Sequence, residues 1–124
     1  MPKTASFIRS GLAALALSAA ILAPQVAAAQ EQNPDFTLVN NTTRTIIVMQ
    51  ASPVTTDQWG PDRLGRETVR PGGRFEVQLN APGVCQWDVR VIYDNRQAEE
   101  RRNINLCAVT ELPFDGSRAA AAAR

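Results

Sequence analysis

The residues best suited to covalent chemistry in this chain are its two cysteines, Cys85 and Cys107. An even number of cysteines in a small domain is typical of a disulfide when the chain enters an oxidising compartment. Closing this loop would stabilise the domain by roughly 3 kcal/mol, because it restricts the unfolded chain. Two cysteines do not make a zinc site, which needs about four ligands. The sequence therefore predicts a Cys85–Cys107 disulfide, with two buried free thiols as the alternative.

The residue types that most enzymes use for acid–base chemistry are missing from this sequence. The chain contains no histidine, and its only lysine is Lys3. Ser52 and Ser117 therefore have no neighbouring base to activate them, and no domain lysine can form a Schiff base. We expect no catalytic residue, no metal ligand and no cofactor, and we interpret the protein as non-enzymatic.

An irregular segment over residues 52–65 carries the strongest candidate for a binding surface. Its glycines and prolines exclude a long helix or strand. Trp59, with Asp62 and Arg63 beside it on a loop, could contact a sugar ring or a peptide. In the alternative interpretation, Trp59 and Leu64 plug the open end of the fold while Asp62 and Arg63 pair with each other.

The remaining charged residues are weaker candidates. Asp57 with Asp62, or Asp88 with Asp94, could be paired carboxylates or calcium ligands. Calcium, however, takes about six to eight oxygens, usually from a dense acidic loop, and these acids are scattered. The run Glu99–Arg102 is interpreted as a solvated strand edge protected by charge, with a protein-recognition surface as the alternative.

The elements that must position these groups are short apolar segments between turn residues. The clearest alternation runs from Cys85 to Tyr93 and places Trp87 inside. Segments 35–39 and 45–51 are expected to form a hairpin around the turn at 40–43. The pattern predicts an all-β fold, a small antiparallel β-sandwich or partly open barrel of about six to seven strands. Further strands are expected over 66–70, 74–79, 99–106 and 108–114.

One detail of the predicted strand 99–106 conflicts with the disulfide. A simple hairpin centred near residue 96 places the two cysteines opposite each other, yet Ile104 and Leu106 have the opposite parity to Cys107. A β-bulge or a strand break near Leu106 would reconcile the two patterns.

The start of the chain has the composition of an export signal. Lys3 and Arg9 precede an apolar run over 11–22, and small residues up to Ala29 offer a cleavage site before Gln30. The apolar run is shorter than the about 20 residues of a membrane-spanning helix. We expect cleavage after Ala29, the general secretion route, a periplasmic or secreted protein, and no stable membrane anchor.

The chain therefore divides into segments of different character, and its formal net charge of +1 gives no reason to expect nucleic-acid binding. We expect a signal peptide over 1–29, a flexible lead-in over 30–34, a β domain over 35–114 and a disordered, alanine-rich tail over 115–124.

Several short motifs occur in a particular order along the predicted domain: Phe36–Asn40, Ser52-Pro53, Trp59–Gly65, Pro71-Gly72, Cys85–Arg90 and Asn105–Cys107. In this order they resemble a family of small exported proteobacterial β-domain proteins, and the resemblance covers residues 35–112. The family has no established activity. The resemblance therefore implies an exported compartment and a β architecture, and no mechanism.

Taken together, the sequence predicts a non-enzymatic exported binding module whose partner is a protein, a peptide or an envelope polymer. Trp59, Asp62 and Arg63 are the expected contact surface. One alternative is a calcium-dependent carbohydrate binder or a small carboxylate-based hydrolase. The other is a structural envelope component without a ligand.

Overall fold

The computed structural model describes residues 32–121. The predicted signal peptide and its cleavage site at Ala29 and Gln30 lie outside the described residues. The described chain is all-β, with seven strands in two sheets that do not close into a barrel. The strands are β1 Phe36–Asn40, β2 Ile46–Pro53, β3 Arg74–Val77, β4 Gln86–Tyr93, β5 Gln97–Asn105, β6 Glu111–Phe114 and β7 Ala120–Ala121, and Leu106–Ala108 form one 3-10 turn.

The two sheets have three and four strands. In the smaller sheet the order is β3-β1-β6, where β1 is antiparallel to β3 and parallel to β6. In the larger sheet the order is β2-β4-β5-β7, and every pair is antiparallel. This arrangement confirms the predicted all-β sandwich architecture.

The core is formed by alternate residues of the central strands, as period-two burial requires. Trp87 is 2 % exposed, and Val89, Val91 and Tyr93 follow it on the inner face of β4. The Trp87 indole N–H is satisfied, because it donates to the carbonyl oxygen of Val84 at 2.7 Å. The alternation predicted for this strand is therefore confirmed. From the smaller sheet, Phe36, Leu38, Leu112 and Phe114 contribute to the same core.

The predicted hairpin between β1 and β2 is wrong, because these strands belong to different sheets. Asn40, which is 0 % exposed, controls the connection. Its amide nitrogen donates to the carbonyl oxygens of Arg44 and Val69 at 2.7 and 2.8 Å, and its amide oxygen accepts from the Thr42 amide at 3.0 Å. The buried side chain satisfies backbone hydrogen-bonding groups of the turn, and after this turn the chain crosses to the second sheet.

Both solutions suggested for the parity conflict are present. The β4–β5 register shifts between Trp87 and Val89, where β5 carries a bulge. Asn103 in this bulge has a φ of 55°, and its amide donates to the Asp88 carboxylate at 2.8 Å. The strand then ends at Asn105 and gives way to the 3-10 turn that contains Cys107.

The structure departs from the predictions at several shorter segments. The strand expected at 66–70 is reduced to a single bridge between Val69 and Ile46, and the strand expected over 108–114 is confined to β6. The flexible lead-in is packed where it is described, because Pro34 is fully buried and the Gln32 carbonyl accepts from Gly83 at 2.8 Å.

The predicted disordered tail also departs from the structure over its described part. Residues 120 and 121 form β7, which pairs with Ala98 and Gln97 at the start of β5. The physical reason is a buried carboxylate at Glu99, which binds the preceding backbone and holds this segment against the domain. Across residues 32–121, no helix is long and apolar enough to cross a membrane.

Candidate functional site

The segment around Asp62 and Arg63 covers the outer edge of β2, which is the end strand of the larger sheet. One Asp62 carboxylate oxygen accepts from the backbone amides of Met49 and Leu64, each at 3.0 Å. The Arg63 amide donates to the Met49 carbonyl at 2.6 Å, and its guanidinium donates to Ala51 at 3.4 Å. Because uncovered strand edges pair with other chains, these contacts protect the edge.

Asp62 and Arg63 were expected to form part of a contact surface, or to pair with each other. The structure instead directs both side chains to the backbone of β2. Leu64 is 2 % exposed and lies in the core, as one interpretation predicted. Trp59 does not join it there, so the predicted plug of Trp59 and Leu64 is correct only for Leu64.

Trp59 lies on the outer face of the larger sheet, where it is half-buried. The guanidinium carbons of Arg90 on β4 and Arg102 on β5 each lie 4.7 Å from the centre of its ring. A guanidinium at this distance from an indole is attracted by the ring quadrupole. The sequence did not reveal these two partners, because they are distant from Trp59 in the chain and meet it only through the sheet register.

A network of polar side chains fixes the position of this indole. The Gln50 amide oxygen accepts from Arg90 at 3.0 and 2.7 Å, while its amide nitrogen donates to the carbonyl of Gly60 at 2.9 Å. Gln50 therefore ties the loop beside Trp59 to the sheet beneath it. We define Trp59, Arg90 and Arg102 as the indole–guanidinium cluster.

The charge of Arg102 is partly balanced within the same face. Its guanidinium contacts Glu100 at 2.9 Å and Asp88 at 3.3 Å. The hydrogen bond that Arg102 donates to the Glu100 carboxylate is the main reason that the pKa of Arg102 is raised above its ordinary value. The Arg102 guanidinium of the cluster therefore lies beside two carboxylates that offset its charge.

The inner face of β5 carries a second polar cluster that sequence reasoning missed. Glu99 is 0 % exposed, which corrects the interpretation of the whole Glu99–Arg102 run as a solvated edge. Its carboxylate accepts from the Tyr93 hydroxyl at 2.5 Å, from the Gly116 amide at 3.0 Å and from the Arg118 amide at 3.4 Å. Arg101 lies 3.7 Å from it and supplies the opposite charge.

The buried environment acts on the acidity of the tyrosine. Burial raises the pKa of Tyr93 well above its ordinary value, and its hydrogen bond to the Glu99 carboxylate raises it further. Tyr93 therefore remains a neutral donor. The sequence does contain a signal for this cluster. Residues two apart on a strand share a face, and the register pairs Glu99 with Val91 and Arg101 with Val89, so both charged side chains lie on the inner face of the sheet.

Cys85 and Cys107 form the predicted disulfide, with a Cα–Cα distance of 5.1 Å. Three of the four carboxylates considered as calcium ligands have other partners: Asp62 binds the Met49 and Leu64 amides, Asp88 binds Asn103 and Arg102, and Asp94 binds Arg44, whereas Asp57 is exposed. Within residues 32–121, no group of three or more acidic, cysteine or histidine side chains is placed to hold a metal ion.

Comparison with known proteins gave no match to a family model, to a curated protein sequence or to a solved structure. The resemblance to small exported proteobacterial β-domain proteins therefore stays a prediction, and the geometry of this chain alone must carry the functional argument.

Proposed function

We propose that this protein is an exported, non-enzymatic binding module that contacts a protein partner through the indole–guanidinium cluster. The observation that carries the proposal is the position of Trp59, which lies outside the core with two guanidinium groups each 4.7 Å from the centre of its ring. A tryptophan needed only for packing would be expected inside, as Trp87 is.

The chemistry of the cluster supports a macromolecular partner. Tryptophan and arginine are enriched among the residues that contribute most to protein–protein binding. An indole whose position is fixed before binding loses little conformational freedom on association. Gln50 and the edge cover formed by Asp62 and Arg63 provide this preorganisation. Asp62 and Arg63 therefore support the contact surface from below and do not form it.

The position of the site on the outer face of a sheet favours a protein over a small molecule. Small-molecule sites are concave and enclose most of their ligand, whereas the cluster lies on the outer face of a sheet. The Cys85–Cys107 disulfide is compatible with an oxidising compartment, where the predicted signal peptide would direct the chain.

Site-specific photocrosslinking in cells that produce the full chain tests the proposal. A photoreactive amino acid replaces Gln58, which is exposed and adjacent to Trp59. We expect one discrete adduct, whose yield falls at least tenfold with Trp59→Ala and is largely retained with Trp59→Phe.

The matched control places the same photoreactive amino acid at Gln78, an exposed glutamine that follows β3 beside the smaller sheet. The proposal predicts no discrete adduct from this position. Equal adducts from both positions, or an adduct from Gln58 that persists unchanged in Trp59→Ala, would show that the cluster is not the contact surface.

A further inference from the structure

A polar cleft lies at the end of the sandwich opposite the disulfide. Cys85 immediately precedes β4, whereas Tyr93 at the other end of the same strand contributes to the floor of the cleft. Its volume is about 330 Å³, near the lower limit for small-molecule sites. The residues around its opening are Asn41, Thr43, Arg44, Asn95, Gln97 and Asp115.

Each of the two segments that line the cleft, the 41–44 turn and the 115–119 segment, is held by a fully buried polar side chain. Asn40 binds the backbone of the 41–44 turn through both its amide oxygen and its amide nitrogen. Glu99 binds the backbone amides of Gly116 and Arg118 in the 115–119 segment. Both side chains are 0 % exposed.

This construction matters because burying polar groups in a small core is costly unless every group is satisfied. Apolar residues would stabilise the same sandwich without this requirement. The buried polar side chains instead fix the geometry of two loops that would otherwise be mobile, as a preorganised binding site requires.

The side chains at the opening remain available for a ligand. Asn41 and Thr43 form no side-chain hydrogen bond with any other part of residues 32–121, and both are exposed. The Gln97 amide oxygen accepts from Asn95 at 3.2 Å, which leaves its amide N–H groups free to donate. The opening thus presents amides and a hydroxyl, each able to donate and to accept.

The charged groups around the cleft are one ion pair and one further carboxylate. Arg44 is the one cation of the lining and pairs with Asp94 at 3.4 Å. Asp115 supplies the further carboxylate, which accepts from the Ser117 amide at 2.9 Å. An anionic ligand would meet this carboxylate and a cation that is already paired, whereas a neutral ligand with many hydroxyl groups matches the amides, the hydroxyl and the carboxylate as hydrogen-bond partners.

We propose that this cleft binds a neutral saccharide, at a site separate from the indole–guanidinium cluster. The inference does not depend on the protein-binding function. Asn41 and Gln97 are assigned as hydrogen-bonding residues for sugar hydroxyls, and Asn40 and Glu99 as positioning residues that hold the two segments.

The test is a titration of the ¹⁵N-labelled protein, purified after expression of the full chain, with maltotriose, with triacetylchitotriose and with inorganic phosphate. We expect at least one trisaccharide to shift the amide signals of residues 41–44, 95–97 and 115–119, and phosphate to shift none of them. Asn41→Ala and Gln97→Ala should each weaken this binding about tenfold, as the loss of a hydrogen bond implies, without lowering the melting temperature.

Matched controls distinguish binding in the cleft from binding at the indole–guanidinium cluster. Gln78→Ala removes an exposed glutamine far from the cleft in sequence and should leave saccharide binding unchanged, as should Trp59→Ala. Shifts with phosphate alone, no shift with either trisaccharide, or shifts confined to residues around Trp59 would overturn the proposal.

Discussion

Consecutive residues of β5 place the same pair of charges in opposite environments. Glu99 and Arg101 face the interior, where the Glu99 side chain is 0 % exposed and that of Arg101 is 21 % exposed. Glu100 and Arg102 face outward, with side chains that are 31 % and 60 % exposed. Water screens the outer pair, so it contributes little to stability, whereas the inner carboxylate depends entirely on protein partners. Within this run, Glu99 and Arg101 therefore stabilise the interior, whereas Glu100 and Arg102 belong to the surface.

The largest expected effect is the loss of the inner carboxylate. Glu99→Ala leaves the Tyr93 hydroxyl, two backbone amides and the Arg101 charge without their shared acceptor. We expect the free energy of unfolding to fall by about 3–5 kcal/mol, the usual result of breaking a buried ion pair from one side. Urea denaturation measures this change.

The matched control is Glu100→Ala, one residue along the same strand. Its ion pair with Arg102 is solvated, so the expected loss is only about 0–1 kcal/mol. Similar losses for the two variants would contradict the contrast between the two faces of β5.

A smaller effect is expected from the donor to this carboxylate. Tyr93→Phe removes only the hydroxyl, which donates to Glu99 at 2.5 Å. Hydrogen bonds to charged groups contribute about 2 kcal/mol, so we expect a loss of this size in urea denaturation. In the double variant with Glu99→Ala, the total loss of stability should be smaller than the sum of the losses in the two single variants.

The raised pKa of Tyr93 predicts a specific loss of stability in alkali. The unfolded tyrosine ionises near pH 10, whereas the folded one keeps its proton to higher pH. The folded state then binds more protons, so the free energy of unfolding should fall by about 1.4 kcal/mol per pH unit above pH 10. The chain has a single tyrosine, so tyrosinate absorbance should rise only as the protein unfolds. Tyr93→Phe should remove this slope.

The smallest effect is expected on the outer face. Trp59→Ala removes an indole that contacts two guanidinium groups outside the core. Because such contacts at partly exposed sites contribute about 0.5–1 kcal/mol, thermal unfolding should change little. A loss above about 3 kcal/mol, the range of buried aromatic residues, would mean that Trp59 is a core residue instead.

The general architecture could be predicted from the sequence because it depends on local alternation. The inward face of β4 follows from the alternation of its residues, and the Cys85–Cys107 bond follows from the presence of just two cysteines in the chain. The order of the strands could not be predicted, since it depends on contacts between residues distant in the chain, such as the hydrogen bond from the buried Asn40 amide to the Val69 carbonyl. The roles of Asp62 and Arg63 were hidden for a related reason, because they depend on β2 being an end strand.

The position of the disulfide has a consequence for the covalent topology of the chain. The bond joins the residue before β4 to the turn after β5, and it therefore closes a ring that contains the exposed turn at 94–96. A protease that cuts within this turn opens the ring and leaves two chain fragments that remain joined by the disulfide. Such a cut leaves the mass unchanged apart from one added water until a reductant separates the fragments. A chain with this ring can be nicked at the exposed 94–96 turn without losing either half.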